Sequence, residues 1–241
     1  MNIFSKYVLT LELLHSLYFL TVDNIYGKDD IFMKDVIYRD VKKEDLCEFE
    51  NLIKDAFNFD KFIHNKDLLK VITSSYLKES ICESSFIKVA SKGDKVLGFI
   101  LCKADGDKAN YNHLFTPLNE EKYPTTLPIE NIKDENEIAE FIKIKEAYSE
   151  LLNGKENLFD SCINLFIVSE EARGLGIGKT LLNYSLKYMN SMKSSSLYLF
   201  TDDRCNYGFY KSQGFNCLDE VDVYLKTVDS NLKTFLYTYS Y

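Results

Sequence analysis

Three of the chain's ten glycines fall within five residues, at Gly174, Gly176 and Gly178. An apolar run, Cys162-Ile163-Asn164-Leu165-Phe166-Ile167-Val168, leads into them, and Ile177, Leu181, Tyr184 and Tyr188 lead out at helical spacing. That order reads as strand, glycine turn, helix. The first N–H groups of a helix have no internal partner and carry partial positive charge. Glycines let an anion come close to them. The segment therefore predicts an anion site for a nucleotide or a nucleotide-like cofactor. Glycines at such a turn also simply permit tight packing of strand on helix.

Two familiar phosphate loops do not fit. Gly178-Lys179-Thr180 ends like a P-loop, but the opening glycine would have to stand at 173, which is Arg173. Gly174 is one residue late, so the loop is too short to wrap a β-phosphate. Leu197 to Asp203 does resemble a strand ending in acids, as a magnesium site would need. A dinucleotide fingerprint needs G-x-G-x-x-G, whereas the spacing here is G-x-G-x-G.

What does fit is Arg-x-x-Gly-x-Gly at Arg173, Gly176 and Gly178. A second segment follows about thirty residues on, Asn206-Tyr207-Gly208-Phe209-Tyr210-Lys211-Ser212-Gln213-Gly214-Phe215, with one strand between. The pair resembles the two signatures of the GNAT family of N-acetyltransferases. The opening Ile37-Tyr38-Arg39 strand followed by a helix is similar to the family's start. The resemblance covers roughly 35–241 and is tightest over 160–215.

The resemblance implies an acyl-CoA site between two parallel strands that splay apart, here the strand ending at Val168 and the strand 196–201. The main chain of Phe166, Ile167 and Val168 would hydrogen-bond the pantetheine arm as an added strand would. The N–H groups of Arg173, Gly174, Leu175, Gly176, Ile177 and Gly178 would hold the diphosphate, with Lys179 and Thr180 adding charge or a hydroxyl. Asn206 matches a cofactor-contacting asparagine, a role compatible with capping a helix. Tyr210 matches the tyrosine near the sulfur, whose O–H serves the leaving thiolate; its plain alternative is an aromatic packed beside Phe209. The general base is poorly marked. Asp160, before the central strand, is the candidate, with Glu146 and His64 as rivals.

The implied activity is acetyl transfer from acetyl-CoA to a primary amine of a small molecule, an amino-acid derivative or a peptide, by direct attack. The alternative is a non-catalytic acyl-CoA-binding or regulatory module of the same fold. No cysteine stands where the signatures would place a nucleophile, which disfavours an acyl-enzyme.

The rest of the chain sets the frame. Its 241 residues are 46% hydrophobic and 14% aromatic, which suits one domain with additions. The charge of −8 argues against nucleic acid as a partner and is compatible with an amine. Six cysteines without a C-x-x-C pair read as thiols of a cytoplasmic protein. Three scattered histidines lack metal-ligand spacing, so no metal is expected. The apolar stretch Tyr7 to Val22 is broken by Glu12 and His15 and is too short for a membrane span.

Residues 1–32 are expected to form an appended helix or non-core extension, and 33–241 the domain, with an insertion around 104–157. That insertion is expected to serve as a lid, an acceptor wall or the contact of a homodimer. The fold class expected is α/β (α+β). Its sheet is mixed and mostly antiparallel, because the early strands pair by a hairpin and the later ones connect through helices.

Overall fold

The computed structural model describes residues 35–61, 63–115, 123 and 135–241. The expected extension 1–32 and much of the loop over 104–134 lie outside these residues. One seven-stranded sheet organises the rest, in the order β1-β2-β3-β4-β5-β7-β6. The strands are β1 Val36–Arg39, β2 Phe86–Lys92, β3 Lys95–Ala104, β4 Ser161–Val168, β5 Ser196–Asp202, β6 Asn216–Leu225 and β7 Ser230–Ser240. Every neighbouring pair is antiparallel except β4 and β5, which run parallel at the centre. This is the mixed, mostly antiparallel sheet that the pattern of elements predicts.

Helices cover both faces. Helices α1 (Leu46–Phe57) and α2 (Lys66–Cys82) pack on one. In α1, Leu46, Phe49 and Ile53 recur on the buried side, and Phe49 stacks on Phe99 of β3 at 3.9 Å. The helix stops at Asn58, whose φ of 49° is one that asparagine tolerates. Asn65 starts α2 by accepting from the N–H groups of Asp67 and Leu68. Helix α3 (Glu135–Leu152) lies beyond, on β6 and β7, through Ile144, Ala147, Val223, Leu225 and Leu232.

Helices α4 (Ile177–Ser191) and α5 (Tyr207–Ser212) cover the opposite face. The buried side of α4 is Ile177, Leu181, Leu182, Ser185 and Met189. The expected stripe is therefore rotated slightly, and Tyr184 turns out to meet Tyr38 of β1 at 5.6 Å. Strand β3 is sandwiched between the layers and almost wholly buried. Its hairpin with β2 turns on Gly93-Asp94 alone, since Lys92 pairs with Lys95. Strands β6 and β7 also start earlier than their apolar stretches, because each supplies the other's main-chain partners from Asn216↔Thr238 to Leu225↔Ser230. Among the described residues no helix is long and apolar enough to cross a membrane.

Candidate acyl-CoA site

The parallel pair β4–β5 holds together for three residues only. Ser161 faces Leu197, Cys162 faces Tyr198 and Ile163 faces Leu199; beyond them the strands part. From Asn164 to Val168, the side of β4 turned toward β5 has no ladder partner. A bulge accompanies the split. On the β3 side Leu101 pairs with Leu165 and Cys102 with Ile163, so Asn164 is an extra residue. Its side chain is held at both ends. The amide donates to Ser84 Oγ at 2.9 Å, and its oxygen accepts from Cys162 Sγ at 3.0 Å. The bulge reverses the strand's facing: Phe166 and Val168 join Ile163 under α4, while Leu165 and Ile167 pack toward α1.

The glycine turn sits over this opening. A 3-10 turn, Glu170–Ala172, ends with the Arg173 N–H donating to the Glu170 carbonyl. Gly174 and Gly176 then take φ values of 80° and 78°, in the left-handed region. The wholly buried Ile177 pins the start of α4. The first helical bond runs from the Thr180 N–H to the Gly176 carbonyl at 3.0 Å, and Thr180 Oγ1 donates to that same oxygen. No N–H from Gly174 to Lys179 has an acceptor among the described residues. Six donors at the positive end of a fifteen-residue helix are what a diphosphate requires. Gly178 anchors the helix to the splayed strand. A side-chain carbon there would lie 3.6 Å from Phe166 Cζ and 3.8 Å from Phe209 Cζ.

Tyr210 comes to the same place. Its ring packs edge-on against Phe166 and Phe215, at 6.4 and 5.7 Å between centroids. The hydroxyl has no partner among the described residues. Burial, and secondarily Cys205, pushes its pKa well above the usual tyrosine value. Asn206 precedes α5, yet its side chain makes no capping bond. It is exposed and uncommitted, so the capping role does not apply.

Asp160 is not brought to this group. It stands before Ser161, at the end where β4 and β5 are still paired. Its Oδ2 accepts from Ser195 N–H and Oγ–H at 2.8 Å, and its Oδ1 from Ser196 N–H at 3.2 Å. Burial is the largest single influence and raises its pKa, but these donors together outweigh it and hold the carboxyl below its ordinary range. The eight residues of β4, at ~3.3 Å each, separate it from the glycine turn. His64 lines a separate cavity of about 580 Å3 between α1 and α2. Glu146 is exposed on α3. No cluster of three or more His, Cys, Asp or Glu residues among those described could hold a metal ion. Asp202 and Asp203 do not form a magnesium site. Asp202 is 1% exposed and paired with Arg204 at 2.9 Å.

Residues 111–215 match the model of the acetyltransferase (GNAT) family. Over those residues the chain carries a GNAT-family domain. Solved structures agree on the fold and extend it over β1 to β3. The crystal structure of SsHAT matches with a TM-score of 0.59 at 14% identity, over 86% of this chain and 98% of that one. That of PH1933 from Pyrococcus horikoshii OT3 matches with 0.52 at 16% identity, over 86% and 98%. Identities this low speak for the fold alone. Among curated proteins none is significantly similar in sequence. Within the GNAT frame, two positions not singled out in the sequence now have roles. Gly98 lets β3 approach the freed part of β4, and Asn164 makes the bulge. A lone glycine inside a strand pattern was the available signal for the first. A polar residue in an apolar run was the signal for the second.

Proposed function

We propose that the chain is an acetyl-CoA-dependent N-acetyltransferase that acts on a primary amine by direct attack. One observation carries the reading. Six unpartnered N–H groups, Gly174 to Lys179, open a helix directly above a strand whose inner edge is unpaired, with the Tyr210 ring on the same strand.

Acetyl-CoA supplies an acyl group activated as a thioester. The edge of β4 from Phe166 to Val168 binds the arm by main-chain hydrogen bonds, and the turn from Arg173 to Gly178 binds the diphosphate. Lys179 is placed in the first helical turn to add charge. Thr180 already donates its hydroxyl proton to Gly176 and has only lone pairs left to offer. A nitrogen–carbon bond forms as the carbon–sulfur bond breaks; the amine loses one proton and the departing sulfur gains one. Tyr210, protonated across the neutral range, donates to that sulfur. Backbone donors rather than basic side chains explain how a chain of net charge −8 binds an anionic cofactor. Six free thiols among the described residues support a cytoplasmic setting.

Thiol release from acetyl-CoA against a panel of amines tests this reading. Activity unchanged in both Gly176→Glu and Tyr210→Phe would overturn the mechanism. The position of Asp160 favours one second reading, an acyl-CoA-binding module without turnover. Calorimetric binding of CoA with no turnover across the panel would select it.

A further inference from the structure

The cavity of about 580 Å3 between α1 and α2 has no part in the acyl-CoA site. None of the residues that line it belongs to β4, β5, α4 or α5. Phe49 and Ile53 of α1 are buried in the core, and Glu50, Asn51 and Lys54, on the other sides of that helix, form one wall. The first half of α2 forms the other, from Lys66 to Ser74. The volume lies within the range of small-ligand pockets, roughly 300–1,000 Å3.

The floor is buried and rich in acceptors. Ile63, Thr73 and Ser74 are all buried there. Thr73 donates its hydroxyl proton to the Leu69 carbonyl at 2.8 Å, and Ser74 donates its own to Glu50 Oε1 at 2.6 Å. Both hydroxyl oxygens are left with lone pairs only, and Glu50 adds a carboxylate. A ligand that reaches this floor must therefore bring donors, as hydroxyl or amino groups do.

The rim is exposed and basic. Lys54, Lys66 and Lys70 stand around it, and their ammonium groups have no ion pair or hydrogen bond among the described residues. Lys66 and Lys70 are four apart and share a face of α2. These three cations outnumber the two carboxylates of the lining, Glu50 and Asp60, in a chain of net charge −8. Lys66 also stands against a local rule. It is the first residue of α2, where the partial positive charge of the helix disfavours a cation. An anion seated between Lys66 and Lys70 removes that conflict.

We propose that this cavity is a second ligand site, for a small phosphate monoester whose other end carries hydroxyl or amino groups. The phosphate, with close to two negative charges at neutral pH, meets the three lysines of the rim. The donors at its other end reach the oxygens of Thr73, Ser74 and Glu50. A single carboxylate would leave much of the repulsion among the lysines in place. The ligand touches both α1 and α2, so its binding ties the two helices together and stabilises the folded chain. The site does not depend on acetyl transfer.

Calorimetry on the full chain at low salt tests this, with glycerol 3-phosphate, glycerate and inorganic phosphate as probes. The result expected is one site that takes glycerol 3-phosphate roughly three- to tenfold more tightly than inorganic phosphate, the effect of one neutral hydrogen bond, and more tightly than glycerate. Added salt weakens the binding, and glycerol 3-phosphate raises the melting temperature. The double variant Lys66→Gln, Lys70→Gln loses about tenfold or more in affinity, the scale of a hydrogen bond to a charged group. Both side chains are exposed, so its melting temperature without ligand stays unchanged. A parallel titration adds coenzyme A, and binding that persists beside it lies outside the glycine turn. No binding, displacement by coenzyme A, an affinity unmoved in the lysine variant, or glycerate bound as tightly as the ester would overturn the inference and leave the acetyl-transfer reading untouched. Intact binding here with no turnover of any amine would overturn acetyl transfer and leave this site standing.

Discussion

Gly98 lies so close to Ile167 that a side-chain carbon on it would sit 2.8 Å from the Ile167 carbonyl oxygen and 3.1 Å from Val168 Cα. The contact presses β3 against the part of β4 that has already left β5. Both clashing groups are backbone, so neither can turn aside. Gly98→Ala should therefore lose about 1–3 kcal/mol of stability by overpacking. It should also bind acetyl-CoA more weakly, because the displaced element is the proposed edge for the pantetheine arm. Denaturant unfolding and calorimetry on the same variant check both halves. Full CoA affinity in a destabilised variant would separate the edge from the contact.

The glycine turn offers a contrast between two of its members. At Gly176 a side-chain carbon would meet nothing within 4 Å, but φ is 78°. Gly176→Ala thus carries only a backbone penalty, about 1–2 kcal/mol, and should relieve it by moving the N–H groups out of register. A raised KM for acetyl-CoA is expected. Gly178 lies inside α4, and a methyl there would make ordinary contact with Phe166 at 3.6 Å. Gly178→Ala should hold or gain stability, by about 0.5–1 kcal/mol for a glycine removed from a helix. Equal losses of stability at the two positions would refute this account of the turn.

Tyr210→Phe removes a hydroxyl that has no partner among the described residues, so the melting temperature should not move. The turnover number should fall about 100-fold or more, the usual scale for a lost general acid. Burial raises the folded pKa above the ordinary 10.0. A proton held more tightly in the folded state contributes stability in full below pH 10.0, and that contribution is lost as pH rises through the folded value. A rate profile whose descending limb below pH 10 disappears in the phenylalanine variant would contradict this placement of Tyr210.

Asp160 should matter for stability and not for turnover. Its depressed pKa contributes stability above the ordinary 3.8, which is lost as pH falls through the lower folded value. Asp160→Asn should cost about 1 kcal/mol at neutral pH, the net worth of a weakened hydrogen-bond set at an exposed site. The penalty should fade in acid, where the native carboxyl is itself protonated. Melting curves across pH, with kcat measured beside them, decide the matter. A large loss of kcat without loss of stability would return the general-base role to Asp160.

Much of the fold was legible because its causes are local. Leu46, Phe49 and Ile53 mark α1 by spacing alone, and Asn153-Gly154 mark the end of α3, with Gly154 at φ 75°. The strands β6 and β7 outrun their apolar stretches for a physical reason. Their polar halves are held by main-chain pairing with each other, and pairing leaves no mark on composition. The exposure of Tyr184 belongs to the same class, since its environment depends on where β1 passes.

By itself the sequence determined the glycine turn, the helix that follows it and the second motif through Tyr210. Backbone freedom at Gly174 and Gly176, and the orphan donors of a helix start, are properties of a few consecutive residues. Only the tertiary structure decided which groups meet across the sheet. It put Tyr210 beside Phe166, left Asp160 at the paired end of β4, and set Tyr148 on Phe200 from a helix that the motifs do not mention. Those relations arise from strand order and from the bulge at Asn164, which join residues far apart in the chain. Short spacing in sequence carries no record of them.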